Sequence, residues 1–261
     1  MARFLIYMAI VAAGVSLGGW VVARRIRSLR ARRRLVDRYR EVFQVPKERL
    51  LELHGDFRKQ LEVAVEQDGG STLWMLPSFV LDLPNGTEAG DFYAIDVGGT
   101  NLRVMFCRLG EEKGKVEVEE RVDMVVPEVR KKGTSRDLFD FIATCLKSFV
   151  QKTGRLPSDG ARLPVGFCFS FPLDKFSPKS GVLLHWTKGY ECEGGIGKDA
   201  SAMLEEAFDR VGLPAEVHVI LNDTIGVLAA GRYEDDRTDI GVILGTGTNA
   251  ACVGQNLHTA M

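Results

Sequence analysis

Asp91 to Arg103 reads DFYAIDVGGTNLR, and it gathers more chemistry than any other stretch of the chain. Asp96 ends an apolar run, Gly98 and Gly99 follow, and Thr100, Asn101 and Arg103 come next. Paired glycines between β-forming runs read as a hairpin turn with positive φ. Successive N–H groups at such a turn can cradle an anion, and glycine lets the backbone come close to it. Asp96 would hold a hydrated Mg²⁺ beside that anion, and Arg103 brings a fixed positive charge. The same residues also suit a plain hairpin with an acidic mouth. A second turn of this kind is Gly245-Thr246-Gly247-Thr248-Asn249. Neither turn is a P-loop or a dinucleotide-binding fingerprint, because G-x-x-x-x-G-K is absent and neither opens a helix.

Three short motifs lie between these turns. Asn222-Asp223-Thr224 falls between an apolar run and a helical pattern. All three types favour a helix N-cap, yet ligands of open α/β sheets also gather at strand ends. A carboxylate there can take the proton of a hydroxyl that attacks a phosphate. Thr187-Lys188-Gly189 could bond the hydroxyls of a sugar or be a solvated loop. Ser170, in Phe169-Ser170-Phe171-Pro172, is one hydroxyl among aromatics, which also describes a core strand with an incidental serine.

The elements that must position these residues follow from periodicity. Strands are expected at 92–97, 102–109 and 115–126 as an antiparallel meander, then at 164–171, 182–186, 216–221, 239–244 and 250–253. Helices are expected within 35–69 and over 135–153, 199–211 and 223–233. Leu138, Ile142, Leu146 and Val150 form one apolar face, and Gly212 is a stop signal. The segment 127–134 reads as a basic, exposed loop, and 173–199 as irregular apart from its short strand.

The 261 residues carry a net charge of −1, which gives no reason to expect a nucleic-acid partner. Phe4 to Ala23 is a run of twenty uncharged residues, about the thickness of a bilayer core as a helix. Arg24, Arg25, Arg27, Arg30, Arg32, Arg33 and Arg34 follow it. That order reads as a signal anchor with the body of the protein cytosolic; a cleaved signal peptide is the rival reading. Five cysteines without a C-x-x-C fit a reduced compartment, and the four histidines have no metal-ligand spacing.

FYAIDVGGTNLRV, FSFP, SGVLLHWTKGY, LNDTIGVLAAGRY and LGTGTNAA, in this order, resemble the hexokinases, in particular plant-type forms with an N-terminal membrane anchor. The resemblance spans about Leu35 to Ala251. It implies an α/β, actin-like ATPase fold of the ribonuclease H type with two lobes, the large one incomplete because the family's pattern runs past Met261. It divides the chain into an anchor and arginine flank (1–34), a helical segment (35–89), a small lobe (90–215) and the start of a large lobe (216–261). It implies ATP-dependent phosphorylation of a glucose-like hexose at its 6-hydroxyl, with ATP and Mg²⁺. Asp223 would be the catalytic base. Ser170, Thr187, Lys188, Asn222 and Asn249 would contact the hexose. Asp96, Gly98, Gly99, Thr100, Asn101 and Arg103 would belong to the first phosphate loop, and Gly245, Thr246, Gly247 and Thr248 to the second. It implies a mitochondrial outer membrane or plastid envelope location. An incompletely covered lobe would expose apolar surface and ask for a protein partner. A non-catalytic, membrane-held sugar-binding relative is the alternative. Cys168 stands where the family leads us to expect threonine, and Tyr190 where it leads us to expect phenylalanine.

Overall fold

The computed structural model describes residues 2–67, 69–80, 82–110, 114–155, 160–245 and 247–253. Two compact units divide the chain, Met1–Trp74 and Met75–Met261.

The first unit holds α1 (Ala2–Phe43) and α2 (Lys47–Glu66). Pro46 precedes the first residue of α2, where its missing N–H costs nothing. The stripe Leu50, Leu53, Phe57 and Val65 is exposed. The apolar run 4–23 occupies the first half of α1; apart from Trp20, its side chains lie outside the described residues. Among the described residues no helix is long and apolar enough to cross a membrane.

The second unit is built on a five-stranded sheet. Its members are β1 (Gly90–Val97), β2 (Asn101–Leu109), β3 (Val116–Val125), β4 (Leu163–Phe169) and β7 (Ala215–Leu221), ordered β3-β2-β1-β4-β7. The first three strands form the expected antiparallel meander. β4 and β7 join parallel to β1. β7, in the part that the resemblance assigns to the start of the large lobe, is an edge strand of this sheet. Alternation on the strands separates two faces, since successive side chains point oppositely. Ile95, Val97, Leu102, Val104, Phe106, Val165, Phe167 and Phe169 are buried in one core. They share it with Leu138, Ile142, Leu146 and Val150 of α4 (Ser135–Thr153) and with Leu204 and Phe208 of α5 (Ala200–Val211). Asp96 and Cys168, at the alternate positions, face the other way.

Local chemistry sets the helix ends. Thr134 and Asp199 accept hydrogen bonds from Asp137 N and Ala202 N as N-caps. Gly154 and Gly212 close the same helices in left-handed conformation. Two expectations need correcting. The stretch 127–134 is exposed over most of its length as expected, but it is not a loop throughout: it holds the short helix α3 (Glu128–Lys131), and Lys131 is buried. The stretch 173–199 carries a hairpin, β5 (Leu173–Ser177) with β6 (Ser180–Leu183); β6 overlaps the strand expected at 182–186 but starts and ends earlier, and β5 was not expected. The chain then runs through α6 (Asp223–Glu234) into the hairpin of β8 (Ile240–Leu244) and β9 (Thr248–Cys252). Ile240, Val242 and Leu244 of β8 are exposed.

Candidate active site

The parallel strands β1, β4 and β7 end side by side, and their ends carry the motifs. Asp96 is level with Cys168 on β4, and Cys168 is level with Leu221 on β7. One further step along the strands reaches Gly98, Ser170 and Asn222-Asp223. Ser170 is buried, and its N–H donates to Val97 O at 3.3 Å.

The turn after β1 is tight because Gly98 N donates to Asn101 O at 2.9 Å. Neither Gly98 nor Gly99 has positive φ, contrary to expectation. The reason for glycine is closeness. A Cβ on Gly99 would lie 3.1 Å from Lys188 Cβ, so the turn rests directly on the Thr187–Tyr190 loop. Positive φ falls instead on Lys188, at 56°, and on Gly189, at 81°. Tyr190 N donates to Thr187 O at 3.0 Å and closes that turn. A lysine in this region is a local strain of roughly 1 kcal/mol or more, of the kind that gathers at functional sites.

The strained turn aims Lys188 at the helix that follows β7. Lys188 Nζ lies 3.6 Å from Asp223 Oδ2. Asp223 Oδ1 accepts Thr224 N–H at 2.9 Å, which fixes the carboxylate. Asn222 is the N-cap of α6, its Oδ1 accepting from Thr224 N. The capping reading of this motif is therefore true of Asn222 and leaves Asp223 at the first helical position. Thr224 Oγ1 also donates to Asn222 Oδ1 at 2.8 Å. Asn249 Nδ2 reaches both Asn222 Oδ1 and Thr224 Oγ1 at 3.0 Å, which ties β9 to this corner.

Arg103 does not stand free. It donates to Asp96 Oδ2 at 2.6 Å and lies 3.3 Å from Asp123, so it orients the Asp96 carboxylate. Thr100 is exposed; its carbonyl takes Val126 N–H, and Asn101 O closes the glycine turn. Gly245, Gly247 and Thr248 are exposed at the second turn, and Thr246 lies outside the described residues. Among the described residues no cluster of three or more His, Cys, Asp or Glu side chains could hold a metal ion. A Mg²⁺ that keeps its waters and arrives on nucleotide phosphates needs only one or two carboxylates. Asp96, at the mouth of the first turn, is suited to that part.

Sequence reasoning missed three contributors. The Cys168 thiol is pushed well above its usual range by burial, then by the Asp96 and Asp223 carboxylates. It is an inert neutral group between two charged ones. Its alternation with Phe167 and Phe169 was the available signal. Thr224, buried behind Asp223, was visible as a capping-type residue but not as the partner of Asn249. Tyr190, whose hydroxyl donates to Gly98 O at 3.1 Å, left no local signal beyond its type.

A sequence model of the hexokinase family matches residues 35–233. The chain is 42% identical over 210 residues to Hexokinase-2 of Oryza sativa subsp. japonica, covering 80% of this chain and 42% of that protein. It is 43% identical over 196 residues to the chloroplastic Hexokinase-4 of the same plant, covering 74% and 38%. The hexokinase from Schistosoma mansoni, solved in complex with glucose, superposes with a TM-score of 0.66 at 34% identity. That match covers 74% of this chain and 43% of the other. The chain thus spans less than half the length of these relatives.

Proposed function

Because the chain belongs to the hexokinase family, whose fold is the actin-like, ribonuclease H-type one, we propose that it transfers the γ-phosphoryl group of ATP to the 6-hydroxyl of a glucose-like hexose. The observation that carries this is the approach of Lys188 Nζ to Asp223 Oδ2, 3.6 Å apart, where three parallel strands end beside a glycine turn.

Asp223 is the general base. A sugar hydroxyl is a weak acid, and the transition state of phosphoryl transfer is loose. The carboxylate therefore orients the hydroxyl first and takes its proton late. The Thr224 N–H holds one oxygen of Asp223, and the other accepts the proton. Ser170, Thr187, Lys188, Asn222 and Asn249 contact the hexose hydroxyls and fix the attacking oxygen in line. Gly98 N–H closes its own turn on Asn101 O, so the Gly99 N–H is the donor that this turn offers to the phosphates. Asp96, oriented by Arg103, would hold a hydrated Mg²⁺ that arrives with the nucleotide, and the ion would supply charge compensation on the phosphates.

The test is a coupled assay of ADP release with glucose and MgATP, beside calorimetry with glucose alone. Asp223→Ala lowers turnover about 10²–10⁴-fold and leaves glucose affinity within a few-fold. Turnover near wild type removes Asp223 from the role. Glucose binding without turnover in the unmodified chain favours a sugar-binding, non-catalytic protein.

The run 4–23 and the arginines after it attach the chain to a plastid envelope or mitochondrial outer membrane, with residues from 35 onward in the cytosol. Fractionation of the full chain against one lacking residues 2–34 tests this: equal release into the soluble fraction removes the anchor. Ile240, Val242 and Leu244 give a protein partner an apolar face to cover.

A further inference from the structure

The site as read above gives no role to the buried hydroxyl of Tyr190. We propose that Tyr190 is a positioning residue: its hydroxyl sets the orientation of the Gly98–Gly99 peptide and so aims the Gly99 N–H at the phosphate site. This rests on the hexose kinase reading for its ligand, though not for its geometry.

Tyr190 lies on the sugar-side turn, whereas the group it holds lies on the phosphate-side turn. The hydroxyl donates to Gly98 O at 3.1 Å. A trans peptide is planar, so the carbonyl of one residue and the N–H of the next point in opposite directions. Holding Gly98 O toward Tyr190 therefore turns the Gly99 N–H away from the sugar-side turn. Between two glycines this peptide has little else to hold it, because neither residue has a side chain to resist rotation. The two outer bonds of the turn, Gly98 N to Asn101 O and Val126 N to Thr100 O, constrain the peptides on either side. The Gly98 carbonyl is the lever that remains.

The lever is rigid because the tyrosine ring cannot withdraw. Tyr190 is only 3% exposed. Its ring stacks on Trp186 with centroids 5.9 Å apart and meets Phe171 edge-on at 5.0 Å. Lys131 Nζ stands 5.7 Å from the ring centroid, and Lys131 O accepts Glu191 N–H. Burial holds the phenol protonated well beyond its ordinary range, so it remains a donor. The same turn carries Lys188, whose stem touches Gly99. A sugar on Thr187 and Lys188 would thus be read by the phosphate turn through two contacts, one of them the Tyr190 hydroxyl.

Tyr190→Phe removes the hydroxyl and keeps the ring. Hydrogen exchange on the ligand-free full chain reads the turn directly. Freeing the Gly98–Gly99 peptide loosens the turn that the Gly98 N–H to Asn101 O bond closes, so the Gly98 amide is expected to exchange roughly fivefold faster, the effect of one neutral buried hydrogen bond, with the α5 amides unchanged. In steady state the KM for MgATP rises about fivefold while the KM for glucose stays within twofold. Unchanged exchange at Gly98 overturns the proposal. So does a change of equal size in both KM values, which would mean general loosening. If the unmodified chain shows no turnover, the kinase reading fails, and the exchange measurement still decides whether Tyr190 holds the turn.

Discussion

Lys175 on β5 offers a quantitative test of how the site is supported. It is 6% exposed, and its ammonium donates to Ile220 O at 2.6 Å and Ser78 O at 2.8 Å, with Pro178 O at 3.5 Å. Among the described residues no carboxylate pairs with it. Burial accordingly pulls its pKa from 10.5 to about 8. The unfolded chain keeps its proton up to about 10.5, whereas the folded chain releases it near 8. Between those values the unfolded state binds more protons, so stability rises with pH. The contribution is complete above 10.5 and is lost as pH falls through 8. At about 1.36 kcal/mol per pH unit, the gap corresponds to about 3 kcal/mol of desolvation cost carried at neutral pH. Lys175→Met keeps the length of the stem and removes the titration. Urea unfolding of both proteins from pH 7 to 10 gives the difference in ΔG. That difference should be flat to about pH 8 and then shift in favour of wild type by about 1.4 kcal/mol per pH unit. A difference independent of pH over this range would refute the lowered Lys175 pKa. Ile220 directly precedes Leu221, Asn222 and Asp223, so loosened glucose binding in the variant would link this clamp to the site.

Further perturbations probe the contacts around it. Gly99→Ala puts a Cβ 3.1 Å from Lys188 Cβ; the stem must yield, at a cost of about 1 kcal/mol, and calorimetry should show glucose affinity reduced several-fold with little change in Tm. Gly241→Ala is harsher, because its Cβ would meet Leu228 N at 2.7 Å and Thr224 O at 2.9 Å, both backbone atoms. The β8–β9 hairpin should lift from α6, with a loss of about 1–3 kcal/mol in urea melts. Iodoacetamide at pH 8, followed by mass mapping, should label exposed Cys252 before Cys145 and Cys192, whose thiols burial pushes up to about 11. Labelling of Cys168 at the rate of Cys252 would contradict its position between β1 and α6.

Much of the fold was legible because its signals are local. The apolar face of α4, the alternation of β4 and the stop at Gly212 each depend on residues within a few positions. Strand β5 and the short helix α3 were missed for the converse reason. Each is held by distant partners, Lys175 through Ile220 and Lys131 through Glu191.

By itself the sequence determined the family, the strand and helix order, and the short motifs at strand ends, since side-chain alternation and turn chemistry are properties of neighbours. It could not say why Gly99 is glycine, that Arg103 serves Asp96, or that Tyr190 reaches Gly98. Those pairings join residues on different strands and turns, 7 positions apart for Arg103 and 92 for Tyr190. Only the register of β1 on β2 and β4, and the packing of the 187–190 turn on the 98–101 turn, bring them within bonding distance. Contacts of that range are set by the global burial of apolar faces and leave no periodic trace along the chain.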